Sequence, residues 1–175
     1  KELIKNLKNY SYLITLSPFD KYSEYLEEIS LNILWKIEKN KDFSFFSYII
    51  SIIKMMIIIR AIKPKLIHSH TIKTNLSASL SAFISDIPIV FSFTGLGRLS
   101  KGNFLKRFLL KIILKTIFIL STQNFIRLKK TKSKYIKNAF IFQNQIDLNF
   151  FYKYINKKKI SNSYLIYGSG IPKEY

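Results

Sequence analysis

From residue 65 onward, short apolar runs alternate along the chain with longer segments of helical period. The apolar runs are KLIHSH (65–70), IPIVFSF (87–93), AFIFQN (139–144) and SYLIYGSG (163–170). Strands that alternate with helices are joined by crossover connections, and such connections go with parallel pairing. The sequence therefore predicts the α/β class, with a parallel sheet and helices on both of its faces.

The segments between these runs and the start of the chain complete the prediction. NLSASLSAFIS (75–85) and FLKRFLLKIILKTIFIL (104–120) have the period of helices, and QIDLNFFYKYINKKK (145–159) separates the last two runs. Near the start, KELIKNLKN (1–9) predicts a helix and YSYLITLS (10–17) predicts a strand. A length of 175 residues suits a single domain with its own core.

The segment FSFFSYIISIIKMMIIIRAI (43–62) is long enough to cross a bilayer at about 1.5 Å per residue. Lys54 and Arg60 argue against a span, because a charge in mid-span costs roughly 2.5 kcal/mol or more. We therefore expect a helix largely covered by a sheet, with its two charges at the solvent edge. A membrane-spanning helix is the alternative.

The formal net charge of +19 would suit a nucleic-acid or anionic-membrane partner. Arginine, the residue suited to bidentate phosphate and guanine contacts, is nevertheless scarce among the 29 basic residues. It stands at positions 60, 98, 107 and 127, and the abundance of Lys and Ile is what AT-rich codons favour. We therefore expect no nucleic-acid partner, and the charge reflects codon bias or attraction to anionic lipid.

Both histidines of the chain lie two residues apart in HSH, which places them on one face of a strand. Two imidazoles can begin a metal site, but no third ligand stands nearby and the chain has neither cysteine nor an Asp-x-Asp pair. We therefore expect no metal and no cofactor. His68 is interpreted as a packed or hydrogen-bonded strand residue, and His70 as a substrate-site residue and the best catalytic candidate.

In parallel sheets, ligands bind beyond the carboxyl ends of the strands. The candidate binding residues stand at these ends or in the turn that follows them: His70, Thr71, Lys73, Asn75, Thr94, Gly95, Gly97, Asn144, Gly168, Ser169 and Gly170. The glycines indicate close approach of backbone to a ligand, with ordinary tight turns as the alternative. Caps of the following helices are the alternative for Thr71, Asn75 and Asp147, and a solvated side chain is the alternative for Lys73.

Four motifs follow one another as PKLIHSHTIKTN, IPIVFSFTGLG, IFQNQID and IYGSGIP, over about residues 60–171. In this combination the chain resembles the N-terminal domain of family-four glycosyltransferases, which are retaining enzymes of the GT-B fold. The most similar subgroup builds bacterial surface polysaccharides and lipid-linked oligosaccharides. Two positions depart from the family pattern, because Ile146 and Pro172 stand where acids are expected.

The resemblance implies a Rossmann-like, acceptor-side domain over residues 1–171 that is incomplete at its N-terminus. Residues 172–175 would begin the linker to a C-terminal donor domain that the sequence lacks, so we expect the chain to be inactive alone. The implied reaction moves a sugar from a nucleotide-sugar donor to a lipid-linked or polysaccharide acceptor. In such enzymes the leaving phosphate helps to deprotonate the acceptor, and the protein mainly positions and stabilises.

The resemblance also implies roles for individual residues. The neutral ring of His70 can accept a hydrogen bond from a sugar hydroxyl, or its cation can meet a phosphate. Lys73 would reach the phosphate of the acceptor. Threonine stands at position 94, where better-known branches of the superfamily have a histidine that is treated as catalytic. No general base is therefore assigned, and Gly95 to Gly97 are interpreted as a backbone edge of the site.

Segment 104–120 carries Arg107, Lys111 and Lys115, one helical turn apart, beside Leu and Ile, and RLKKTKSKYIKN (127–138) extends this charge. A solvated face is one interpretation. The other is a helix that contacts an anionic membrane, with the protein peripheral on the cytoplasmic face of the cytoplasmic membrane. A basic membrane-surface or nucleic-acid-binding module without catalysis is the alternative function, and its binding should weaken steeply with salt.

Overall fold

The computed structural model describes residues 12–18, 32–37, 45–96, 102–131, 138–155 and 162–167. The chain divides into two compact units, Lys1–Ile58 and Ile59–Tyr175. In the first unit, β1 (Tyr12–Pro18) pairs in parallel with β2 (Asn32–Ile37). β1 confirms the strand predicted at 10–17, and β2 is a strand that the sequence pattern did not predict. The helix predicted at 1–9 lies outside the described residues.

α1 (Phe45–Ile62) forms from the long apolar segment. Ser51, Met55 and Ile59 recur at every fourth position and are buried, whereas Lys54 and Arg60 are exposed. The two charges lie in solvent, as expected. The expectation that a sheet largely covers the helix is wrong, because Phe46, Ile53 and Ile57 are 75%, 49% and 62% exposed. A search of the helices in the described part of the chain finds none with the length and apolarity that a membrane crossing requires.

The second unit contains a four-stranded parallel sheet in the order β3-β4-β5-β6. The strands are Ile67–His70, Ile89–Phe93, Ala139–Phe142 and Ser163–Leu165. They are connected in turn by α2 (Ile72–Ser85), α3 (Phe104–Thr131) and α4 (Gln145–Tyr154). α2 contacts α3, and α3 contacts α4. The predicted α/β class with a parallel sheet is confirmed, and each strand lies within the apolar run that predicted it.

The core of the second unit contains an aromatic cluster that holds the central strands together. Phe91 and Phe93 on β4, Phe140 and Phe142 on β5, and Phe151 on α4 are each at most 5% exposed. The ring centroids of Phe93 and Phe142 are 5.2 Å apart, and those of Phe93 and Phe151 are 5.4 Å apart. Burial of each Phe side chain contributes about 1.5–3 kcal/mol to the stability of the fold. The cluster therefore fixes the ends of β4 and β5 relative to each other.

α3 is longer than predicted, because it continues past residue 120 to Thr131. Two polar residues after position 120, Ser121 and Asn124, are buried and bonded on the inner side, so they do not end the helix. The side chain of Asn124 donates to the carbonyl of Ile87 at 2.9 Å, and the carbonyl of Ser121 accepts from the side chain of Asn138 at 2.7 Å. These bonds attach the second half of α3 to the amino ends of β4 and β5.

Candidate functional site

The carboxyl ends of β3, β4 and β5 lie side by side at one edge of the sheet. The register pairs His70, the last residue of β3, with Ser92 of β4. It also pairs Phe93, the last residue of β4, with Phe142, the last residue of β5. The residues that follow these ends therefore form a continuous rim, which we call the carboxyl edge and in which the site was predicted.

The two histidines share one face of β3, as predicted, and Ser69 between them is buried on the other face. Their ring centroids are 4.2 Å apart, with an interplanar angle of 40°. Nε2 of His68 lies 2.9 Å from Oγ of Ser92, which confirms His68 as a hydrogen-bonded strand residue. Within the described part of the chain, the His70 ring contacts His68 but hydrogen-bonds to no protein group.

Contact with protein atoms lowers the pKa of both rings, although each ring keeps part of its surface in solvent. Desolvation is the main cause for His68, repulsion by His70 adds to it, and together they lower its pKa from 6.5 to about 4. Desolvation also lowers the pKa of His70 below 6.5. Both rings are therefore mainly neutral at neutral pH, which favours a hydrogen-bonding role for His70 over an ion pair with phosphate.

The turn after His70 has an unusual backbone. Thr71 has φ 69° and ψ 155°, a conformation that residues with a Cβ rarely adopt and that costs on the order of 1–3 kcal/mol. Thr71 stands at the N-cap position of α2, but its side chain makes no capping bond and lies 3.2 Å from the hydroxyl of Thr74. Capping therefore does not explain Thr71. Lys73 lies exposed in the first turn of α2, beside the carboxyl edge.

Asn75 lies behind β3 and β4 rather than at the surface of the edge. Its side chain is fully buried, accepts from Oγ of Ser69 at 2.7 Å and donates to the carbonyl of Ser92 at 3.0 Å. The alternative of a helix cap is wrong, because Asn75 stands in the second turn of α2. The observed bonds join α2 to the ends of both strands, so Asn75 supports the position of His70 from the opposite face of the sheet.

A second polar cluster joins the ends of β4 and β5. The carboxylate Oδ2 of Asp147 accepts from the backbone N–H of Gly95 at 2.9 Å and from Nδ2 of Asn144 at 3.0 Å. The N-cap of α4 is Asn144, whose Oδ1 accepts from the backbone N–H of Asp147 at 2.8 Å. The N-cap role considered for Asp147 is therefore wrong, because this residue is the buried anchor of the Gly95 turn.

Gly95 is required by its backbone conformation, because its φ of +75° disfavours residues with a Cβ. A Cβ built at Gly95 would meet no atom of the described residues within 4 Å, so close packing against them does not require the glycine. Thr94 is half-buried beside it. Of the other predicted residues at this edge, Gly97, Gly168, Ser169 and Gly170 lie outside the described residues.

The sequence did not single out two serines that shape the site, and for Asp147 it suggested the cap of a helix rather than the bond that the structure shows. Ser69 and Ser92 bond to Asn75 and His68, and Asp147 anchors the Gly95 turn. The inward position of Ser69 could have been predicted from its place in HSH, because a small polar residue between two exposed strand residues faces the interior. Among the described residues, no cluster of three His, Asp or Glu side chains is arranged as a metal site.

The residues predicted to contact a membrane lie on the first half of α3. Arg107 and Lys115 are exposed and Lys111 is half-buried. Because they are spaced four positions apart, they lie on one side of the helix. Ile146, which replaces an acid of the family pattern, is 70% exposed in the first turn of α4.

A parallel α/β sheet with polar side chains along its carboxyl edge is the arrangement of a Rossmann-like domain, a fold in which ligands bind at that edge. The family model described as "Glycosyl transferase 4-like" matches residues 1–124, and the chain therefore belongs to this family. No curated protein matches the chain. The resemblance to glycosyltransferases inferred from the four motifs is thereby confirmed at the level of the family.

Among solved structures, the chain is similar to Anabaena HepE, whose crystal structure contains UDP and glucose. The TM-score is 0.63 and the sequence identity is 13%, over 95% of this chain. The chain spans 38% of the length of the HepE chain. At this identity the likeness concerns the fold, which is similar to that of a GT-B glycosyltransferase.

Proposed function

We propose that this chain is the acceptor-side domain of a retaining glycosyltransferase that acts in cell-envelope glycan synthesis. The donor would be a nucleotide sugar, and the acceptor a lipid-linked or polysaccharide glycan at the cytoplasmic side of the membrane. Membership of the glycosyl transferase 4-like family supports the transferase class. The presence of UDP and glucose in HepE supports a nucleotide-sugar donor. Because the chain spans 38% of HepE, the complete reaction is proposed for the whole protein.

The position of His70 is the observation that carries this proposal. The ring stands at the carboxyl end of β3, is partly exposed, and has a lowered pKa because of desolvation. A neutral imidazole presents one acceptor and one donor nitrogen, which suits a sugar hydroxyl. The strand below His70 is held by the buried Asn75, so the ring can be positioned before substrate binds.

The proposed reaction is a same-face substitution. The acceptor oxygen bonds to the anomeric carbon as the bond from that carbon to the phosphate oxygen breaks, and the hydroxyl proton passes to the departing phosphate. His70 would orient a sugar hydroxyl, and the turn at Thr94 and Gly95 would form the neighbouring wall. We propose that no resident metal or cofactor takes part, and we expect transfer to continue in the presence of EDTA.

The test is sugar transfer by the whole protein from a panel of radiolabelled nucleotide sugars to a lipid extract of the source membrane. His70→Ala should lower kcat/KM about 100-fold, because one positioned hydrogen-bonding group is lost. His68→Asn is the matched control on the same face of β3, and its effect should be less than about tenfold, because this ring already bonds to Ser92.

Circular dichroism of each variant must match that of the parent for the comparison to hold. Unchanged transfer by a folded His70→Ala protein would contradict the role of this residue. A whole protein that transfers sugar from no donor, while still binding membranes or nucleic acid, would favour the alternative of a binding module without catalysis.

A further inference from the structure

The first half of α3 exposes apolar side chains on the side that faces away from the sheet. Phe104 is 84% exposed and Leu105 is 61% exposed. Phe108, Leu109 and Ile112 are also exposed, and the rings of Phe104 and Phe108 are stacked with centroids 6.4 Å apart. We call these five residues the outer strip. The opposite side of the helix is buried through Leu110, Leu114 and Ile117.

The second half of the same helix shows what an ordinary solvated face looks like. Its exposed positions include Thr122, Gln123, Lys129 and Lys130, and its exposed apolar residues, Ile119 and Ile126, stand seven positions apart. Scattered exposed apolar residues are common on protein surfaces, but a contiguous group rimmed by polar residues marks an interaction surface. The outer strip is such a group. Beyond it the exposed face of α3 becomes mainly polar although the helix continues, so the apolar character belongs to this part of the helix alone.

The charges around the outer strip indicate the kind of partner. Lys106, Arg107, Lys111 and Lys115 are interleaved with its apolar residues, and α3 contains no acidic residue. A second copy of this chain would bring the same positive charges to the contact, and the net charge of +19 would oppose it. A surface with phosphate groups above an apolar layer complements both features, and this is the interface of an anionic bilayer.

The outer strip lies on the part of α3 that comes first after β4 along the chain. α3 starts after the turn that follows β4, and it returns the chain to the amino edge, where Asn124 bonds to the carbonyl of Ile87. The strip therefore belongs to the carboxyl-edge end of the second unit. A membrane bound there would lie near a site that receives a lipid-linked acceptor.

We propose that the outer strip of α3 inserts into the headgroup region of an anionic membrane, with the adjacent basic residues bound to lipid phosphates. In this proposal the apolar side chains of the outer strip insert into the membrane. Arg107, Lys111 and Lys115, which the sequence suggested as membrane contacts, assist by binding lipid phosphates. This proposal does not rest on sugar transfer, because binding is measured without donor or acceptor. Failure of membrane binding would leave the transferase proposal standing, and failure of transfer would leave membrane binding standing.

Co-sedimentation with vesicles tests the proposal. The parent should bind vesicles of phosphatidylcholine with about one third phosphatidylglycerol, and Phe104→Ser/Phe108→Ser should lower its partition coefficient at least about tenfold. Arg107→Gln/Lys115→Gln should lower it about 25-fold, at about fivefold per basic residue, and should have little effect on purely zwitterionic vesicles. Ile126→Ala is the matched control on the same helix outside the strip, and its partition should equal that of the parent.

A labelling experiment separates insertion from surface attraction. The chain contains no cysteine, so an environment-sensitive fluorophore can be attached at one new position. On anionic vesicles, the label in Leu105→Cys should shift to shorter wavelength and be quenched by spin-labelled acyl chains. The label in Thr122→Cys, on the solvated half of α3, should show neither change.

The folded state of each variant is checked by circular dichroism, and the high exposure of Phe104 predicts that the serine substitutions leave it intact. Binding that is unaffected by Phe104→Ser/Phe108→Ser, or a Leu105→Cys label that stays in water, would overturn the proposal. Self-association of the parent in sedimentation, lost in the double serine variant and without vesicle binding, would assign the strip to contact between copies and would also overturn it.

Discussion

Removing the carboxylate of Asp147 should destabilise the second unit by about 2–3 kcal/mol. The side chain is 2% exposed, and its Oδ2 accepts hydrogen bonds from the N–H of Gly95 and from Nδ2 of Asn144. A hydrogen bond to a charged group contributes about 1.5–3 kcal/mol, and an acid in the first turn of a helix adds about 0.3–1 kcal/mol. Together, the two hydrogen bonds and the interaction with the helix terminus would contribute more than the loss we expect. The expected loss is smaller because Gly95 is exposed, so its N–H can bond to water in the variant.

Urea unfolding of Asp147→Ala, followed by circular dichroism at the helical wavelength, measures this loss. Asp147→Asn keeps one acceptor oxygen but loses the charge, and we expect about half the effect. Asn149→Ala, an exposed position on the same helix, should change the free energy of unfolding by less than about 0.5 kcal/mol.

An Asp147→Ala protein that is as stable as Asn149→Ala would contradict the stabilising role of this carboxylate. Such a result would mean that the Gly95 turn keeps its conformation without the carboxylate. If the turn does depend on Asp147, the variant of the whole protein should also transfer sugar more slowly, with the fall in kcat/KM larger than for Asn149→Ala.

Three further predictions concern the Thr71 turn and the buried Asn75, both tested by urea unfolding, and the two histidines, tested by titration. Thr71→Gly should be more stable than Thr71→Ala by about 1 kcal/mol or more. Both variants lose the hydroxyl, but alanine keeps a Cβ at φ 69°. The usual order, with the alanine variant the more stable, would contradict the observed turn. Asn75→Ala should lower the free energy of unfolding by about 2–4 kcal/mol, because Ser69 and the Ser92 carbonyl lose their buried partner. A change near zero would show that other groups can replace these bonds. In a proton NMR titration, His68 should titrate near pH 4 and His70 below pH 6.5. Because the folded pKa lies below the unfolded one, the His68 contribution to stability is present above pH 6.5 and is lost as the pH falls toward about 4, and His68→Asn should flatten this dependence.

Local patterns located the sheet of the second unit because the strands are apolar runs between turn residues. The side-chain alternation of a strand is local geometry, so HSH was enough to place His68 and His70 on one face. The same reasoning failed where polar residues face inward. Asn124 is buried and bonds to the carbonyl of Ile87, a contact that no local sequence pattern predicts. The end of α3 was therefore predicted too early.

The candidate site was located by a rule about parallel sheets, whereas the roles of its residues depend on distant partners. Asn75 was predicted to meet substrate or cap a helix, and it instead bonds to a strand seventeen positions further on. Asp147 was considered as a cap, and its carboxylate instead holds Gly95, which is 52 positions away in sequence. Hydrogen bonds between segments so far apart form because the crossover connections bring the ends of neighbouring strands together.

The sequence by itself determined the α/β class, the order of the strands along the chain, the family and the face that the two histidines share, because these follow from local periodicity and short motifs. Only the tertiary structure decided which side chains are hidden and which are exposed. It buries Asn75 and Asp147 against neighbouring strands, and it leaves Phe104 and Phe108 in solvent on the outside of α3. Burial depends on what distant segments place around a residue, and the linear pattern of polar and apolar residues does not contain that information.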